Sequence, residues 1–234
     1  MKLSQTILLI LLPICLLSQE GNRFEITDSI INVNEILREK FGNERINQLE
    51  QLSSINSPYY GGILELDNIL QKEKNIEQEE IPGSCQCQIM KGKLEIANAI
   101  GFMAGILNII EVNLSDSTYQ SKIYYITDGA KTHKFKPEED FIQDIEVRLE
   151  TSRLEISPDS EFNNHGILKG KLVGTSIKYC EKDNSKTGYR EIQTKILSIF
   201  ECKIEDYDQM MIEMEEIKKA QEKKKAEKEN KNKN

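Results

Sequence analysis

The chain has 234 residues, a formal net charge of −8, five cysteines and two histidines. The acidity sits in the body: residues 20–217 sum to −14 while Lys218 to Asn234 is +5, so the body lacks the basic patch that a phosphate backbone demands, and no nucleic acid is expected as a partner. So few histidines also narrow the enzyme readings, because imidazole is the usual general base near neutral pH.

Residues 1–19 open with a lone Lys2, run through the apolar stretches Ile7 to Leu12 and Ile14 to Leu17, and end in Ser18-Gln19. This is the layout of a secretory signal, and its apolar part is shorter than the roughly 20 residues of a spanning helix. The expectation is a cleaved leader that takes Cys15 with it. The mature chain is then periplasmic or secreted and has no transmembrane span.

Residues 20–82 read as a helical N-terminal segment and polar linker. Asp28 is placed to cap a run bearing Ile30, Ile31, Val33, Ile36, Leu37 and Phe41, stopped by Gly42. Ile46, Leu49 and Leu52 make a second amphipathic piece. Ser57-Pro58 and Gly61-Gly62 interrupt it, and Leu64, Ile69 and Leu70 suggest a third helical piece. Gln71 to Glu80 is polar and ends at Pro82-Gly83, which places a linker there.

Across residues 83–204 the apolar period becomes two. Cys85, Cys87 and Ile89 share one strand face. Residues 94–114 are the most apolar tract of the mature chain, and Gly101-Phe-Met-Ala-Gly105 within it matches a membrane-helix packing pattern. Glu95, Asn98, Asn108 and Glu111 interrupt the tract, so two buried strands joined near 101–105 fit better. Ile123 to Thr127 runs into Asp128-Gly129, a hairpin signal, with Thr132 to Lys136 returning. Ile145, Val147 and Leu149 face one way, and after Thr151-Ser152 the parity flips to Leu154 and Ile156. A two-residue turn there pairs Leu149 with Leu154 and Val147 with Ile156, and sets Glu150 opposite Arg153 and Arg148 opposite Glu155. Strands over Ile167 to Glu181 and Ile192 to Ile204 flank a turn-rich loop, Lys182 to Gly188. The fold class is mainly β: an antiparallel β-sandwich or barrel-like domain, preceded by short N-terminal helices and followed by a C-terminal helix. That helix, within residues 205–234, carries the stripe Tyr207, Met210, Met214 and Ile217, expected to dock on its own domain, and leads into a disordered lysine-rich tail.

Four cysteines remain after processing: Cys85, Cys87, Cys180 and Cys202. In an exported chain they are disulfide candidates. A bridge between Cys85 and Cys87 closes almost no loop. Linking each of them to Cys180 or Cys202 closes loops of roughly 100 residues, worth on the order of 4 kcal/mol. Cys-x-Cys is tighter than ordinary zinc-ligand spacing, so no metal or cofactor is expected.

Nothing in the chain carries a nucleophile elbow, a phosphate loop or a Rossmann glycine pattern. Asp159-x-Glu161-x-Asn163 opens like a calcium loop, but the sixth and twelfth positions hold Asn164 and Gly170, so the match fails. His133 is expected to be solvated and His165 to sit in a loop, and no catalytic residue is assigned. The leading expectation is a non-enzymatic binding or structural module. Its partners are other envelope or secreted proteins, or a small apolar ligand held between sheets. Its contact surfaces are the loops at Asp128-Gly129, Asn163 to Gly166 and Lys182 to Gly188. The alternatives are an exported hydrolase pairing His165 with acids from Glu138 to Asp144 or with Asp159 and Glu161, and a matrix protein that self-assembles through the methionine-bearing helix.

Overall fold

A computed structural model describes residues 22–53, 61–70, 83–101, 106–184 and 186–231. The leader at 1–19, the break at Ser57-Pro58, the linker at 71–82 and the turn at 102–105 lie outside the described residues. In chain order the elements are β1 (Asn22–Arg23), β2 (Glu25–Ile26), α1 (Val33–Phe41), α2 (Asn43–Ser53), β3 (Gly61–Asn68), β4 (Gly83–Met90), β5 (Lys93–Gly101) and β6 (Ile106–Ser115). They continue with β7 (Thr118–Thr127), β8 (His133–Lys134), β9 (Ile145–Ile156), β10 (Ile167–Ser176), β11 (Tyr179–Lys182), β12 (Tyr189–Ile192), β13 (Thr194–Asp206) and α3 (Tyr207–Lys231).

Eight strands close on themselves in the order β7, β6, β5, β4, β3, β13, β10, β9 and back to β7, each antiparallel to its neighbours. Where β13 outruns β3 it pairs with β4 in parallel, Ile204 beside Cys87. The barrel form of the two expected architectures is therefore the one observed. The alternation read from the sequence explains its interior: Ile96, Ile110, Ile123, Val147, Leu172 and Ile196 are all fully buried. Eight strands leave a lumen just wide enough for side chains, and here they fill it. The Phe200 ring occupies the space above Gly170 so closely that a Cβ there would lie 2.5 Å from Phe200 Cζ. On the outside of β4 to β7 a polar row of Gln88, Glu95, Asn113 and Gln120 stands along the strands from a less polar row of Ala99, Ile109 and Tyr124. No helix among the described residues is long and apolar enough to cross a membrane.

The tract 94–114 is the expected pair of strands, β5 and β6. Two further tight hairpins are present: Lys91-Gly92, with φ 53° and 69°, joins β4 to β5, and Asp116, with φ 52°, sits between β6 and β7. α1 and α2 cover the outer face of β3 and β13, burying Val33, Leu37 and Ile46 against Ile63 and Ile199. Burial of side chains of this size contributes about 1.5–3 kcal/mol each.

Several expectations are corrected. The cap of α1 is Asn32, whose side chain accepts from Glu35 N, and not Asp28. The third helical piece is strand β3, because its Gly61-Gly62-Ile-Leu start inserts between β4 and β13 and finds ladder partners there. The proposed turn at Thr151-Ser152 does not exist. Residues 145–156 form one strand, and a register shift opposite Thr175/Ser176 leaves Glu150 as the extra residue. A bulge of that kind flips parity just as a turn does. Arg153 consequently pairs with Glu25 and Glu155, not with Glu150. Asp128-Gly129 turns the chain but makes no hairpin: β8 joins β11 and β12 in a separate three-stranded sheet. The methionine stripe of α3 is uncovered, and helix continues to Lys231 through the expected tail.

Candidate functional site

The barrel has two distinct ends. At the cap end, β7 finishes, β13 begins and the small sheet is attached. At the helix end, β13 finishes and α3 starts. The chemistry-bearing residues fall into three groups along this axis.

The first group lies inside the barrel. Cys85 and Cys87 sit two apart on β4 and face the lumen, and the parallel run of β13 brings Cys202 alongside. Cys87 and Cys202 form a disulfide across 115 residues, with Cα atoms 5.6 Å apart. Cys85 keeps a free thiol, yet the three sulfur atoms all lie within 4.8 Å of one another. Burial pushes the Cys85 thiol well up from its ordinary value, with the nearby Glu201 carboxylate adding to the shift, so it stays protonated and unreactive. Only one of the sequence-expected cross-links to Cys85 and Cys87 is thus present. Cys180 is a buried free cysteine on β11, in the small sheet at the cap end, whereas Cys202 lies near the finish of β13. Beside Cys85 across the β4–β5 ladder is Asn98, 1% exposed. Its Nδ2 donates to Ile63 O (3.0 Å), Ser198 Oγ (2.9 Å) and Ile199 O (3.3 Å).

The second group closes the cap end. His133 is 5% exposed, not solvated, and its ring stacks on Tyr125 at 5.3 Å and lies 6.1 Å from Tyr179. Thr194 Oγ1 is 3.0 Å from both phenol oxygens. His133 Nδ1 is 2.9 Å from Thr132 Oγ1, and burial lowers the imidazole pKa from its usual 6.5. No local period marks a partner for this histidine, because β8 pairs with β11, nearly fifty residues on. Next to it, Lys134 is enclosed by the Phe141 and Tyr189 rings at 4.6 and 4.3 Å and donates to Pro137 O at 2.6 Å. The stacking of His133 on Tyr125 of β7 holds the small sheet to the barrel, and Lys134 ties β8 to β12 and to the 137–141 segment.

The third group is the loop between β9 and β10 at the helix end. His165 is exposed, adopts φ 68° and donates its backbone N–H to Ile204 O at 2.8 Å. The acids at 138–144 lie at the cap end, where Asp144 accepts from Thr127 N and Glu139 from Lys136 N. The length of the strands, roughly 30 Å for nine residues, separates them from His165. Asp159 shares the His165 loop but is bound by Lys169 at 2.7 Å and by Ser157. These bonds, with Lys169 foremost, hold its carboxyl below the ordinary carboxylate range. A hollow of about 440 Å³ on the outer face of β9, β10 and β13, and one of about 540 Å³ beside α1, are lined by neither His165 nor these acids. The three expected recognition loops also divide: Asp128-Gly129 and Lys182 to Gly188 belong to the cap end, Asn163 to Gly166 to the helix end.

No family model matches the chain, and no solved structure matches it. Over 94 residues it is 29% identical to an uncharacterized RNA methyltransferase of Treponema denticola. That stretch is 40% of this chain and 22% of the other, so the chain spans about a fifth of the curated relative it matches.

Proposed function

We propose that the protein is an exported, non-enzymatic β-module of the periplasm or extracellular space, and that it binds other envelope or secreted proteins through its loop-bearing ends. The observation that carries this reading is the Cys87–Cys202 disulfide inside the barrel, since structural disulfides persist where the compartment is oxidising. Two further observations support it. His165 and the acids at 138–144 occupy opposite ends, which weakens the hydrolase that would use them. The filled lumen favours partners on the outside over a small apolar ligand within. The short RNA methyltransferase match adds little, because a body at −14 over residues 20–217 repels a phosphate backbone.

The test is expression of the full chain in a bacterial host, followed by fractionation and non-reducing peptide mapping. The expected product is a processed chain outside the cytoplasm whose Cys87 and Cys202 peptides are joined. An intact precursor in the cytosol with all its cysteines as thiols would overturn the reading.

A further inference from the structure

Among the described contacts, α3 is tied to the barrel at its start. Asp206 Oδ1 caps it by accepting from Gln209 N (2.9 Å), and Asp208 accepts from Lys91 N and Gly92 N (2.9 and 2.8 Å) in the β4–β5 turn. Beyond that first turn Met210, Met211, Met214 and Ile217 stand 42, 54, 56 and 57% exposed. Their spacing of three and four, with Tyr207, makes one apolar stripe. The helix is 25 residues long, about 37 Å at 1.5 Å per residue.

Charge along it is segregated: Tyr207 to Ile217 sums to −4, and Lys218 to Lys231 to +4. We propose that this face is the docking site for a second copy of the same chain, the two α3 helices packing antiparallel. The segregation decides the orientation. Parallel packing sets like charge beside like charge along the whole helix, whereas antiparallel packing lays each acidic half along a basic half. In that arrangement the lysine stems of one copy cover the methionines of the other and leave the ammonium groups in water. The contact is isologous, so it closes at two copies and does not propagate. An anionic lipid surface fits the stripe less well, because Glu213 and Glu215 flank it. This inference is independent of the proposed export.

The test is the mass of the full chain in solution, by light scattering or sedimentation equilibrium up to sub-millimolar concentration, for four proteins. These are the unaltered chain, Glu213→Lys/Glu215→Lys/Glu216→Lys, Lys223→Glu/Lys224→Glu/Lys225→Glu, and the two sets combined. The unaltered chain is expected at twice the single-chain mass, each reversal alone at the single mass, and the combination back at twice. Near-UV circular dichroism checks that the barrel stays folded throughout. A single-chain mass for the unaltered protein overturns the proposal. So does either reversal remaining double, or a folded combination remaining single.

Discussion

Cys202 has two cysteines within reach, and strand register shows why. β4 and β13 run parallel with Ile204 beside Cys87, so two residues back along both strands the same register brings Cys202 level with Cys85. Cys85 is therefore a resident alternative partner, held inactive because its buried thiol is protonated and a thiolate is the attacking species. Replacing Cys87 by Ser is expected to yield a Cys85–Cys202 bridge on oxidative refolding. Cys202→Ser leaves no bridge, and losing a loop of 115 residues costs about 4–5 kcal/mol. Peptide mapping with denaturant midpoints separates the two variants, and equal destabilisation of both would refute the shared reach. His133 supplies a second test. Its folded pKa lies below the unfolded value of 6.5, so the unfolded chain takes up the proton first as pH falls. Stability from this group is complete above pH 6.5 and declines below it. A thermal midpoint followed downward from neutral pH should fall less steeply in His133→Phe than in the unaltered chain.

At the scale of elements, Asn98 of β5 ties β3 and β13 together through one side-chain amide. Among the described residues β3 and β4 pair at Gly61/Ser84 and Gly62/Gly83, and beside these pairs the Asn98 amide meets the Ile63 and Ile199 carbonyls. Gly62 and Gly83 admit it: a Cβ at Gly62 would lie 2.6 Å from Asn98 Oδ1. Asn98→Ala is expected to cost about 3 kcal/mol, because buried acceptors lose their donor. Gly62→Ala should cost clearly less in that background than alone, since the clashing amide is gone. Additive costs in the double-mutant cycle would count against direct contact. This residue also shows where sequence legibility stops. In the chain Asn98 reads as an interruption of an apolar tract, and that was enough to argue two strands over a membrane helix. Its role depends on β3 and β13, more than thirty and a hundred residues away, which periodicity does not reach. The alternation of Thr194 to Ile204 was legible because period two is a local signal, whereas the change of sheet at Gln193, which leaves Ile192 in β12, was not, because the apolar period runs through it unbroken. The bulge at Glu150 was legible only as a parity flip, and a turn makes the same mark. β3 was misread because its short apolar cluster is compatible with either period, and its partners alone decide it.

For the whole molecule, the question is what closes the barrel. β7 and β9 pair directly only over Lys122 to Tyr125 with Ile145 to Arg148, near the cap end. Toward the helix end the N-terminal strap spans them instead, β1 pairing with Thr118 and Tyr119 of β7 and β2 running parallel to β9 at Glu155 and Ile156. Asn22 donates to Ser152 Oγ at 3.0 Å, Thr27 N to Ile156 O at 2.9 Å, and Phe24 packs on the core and stacks with Phe162. The strap consists of two-residue strands with mostly exposed side chains, and its partners are about a hundred residues away. Few buried contacts at high sequence separation make it the least stable part of the wall. Native-state hydrogen exchange on Phe24→Ala should therefore show faster exchange at the helix end of the β7–β9 seam, at Thr27 and its neighbours. The Lys122 to Tyr125 amides should keep their protection. A uniform loss of protection along both strands would mean instead that the strap and the direct ladder open as one unit. The barrel would then have no local gate at this seam.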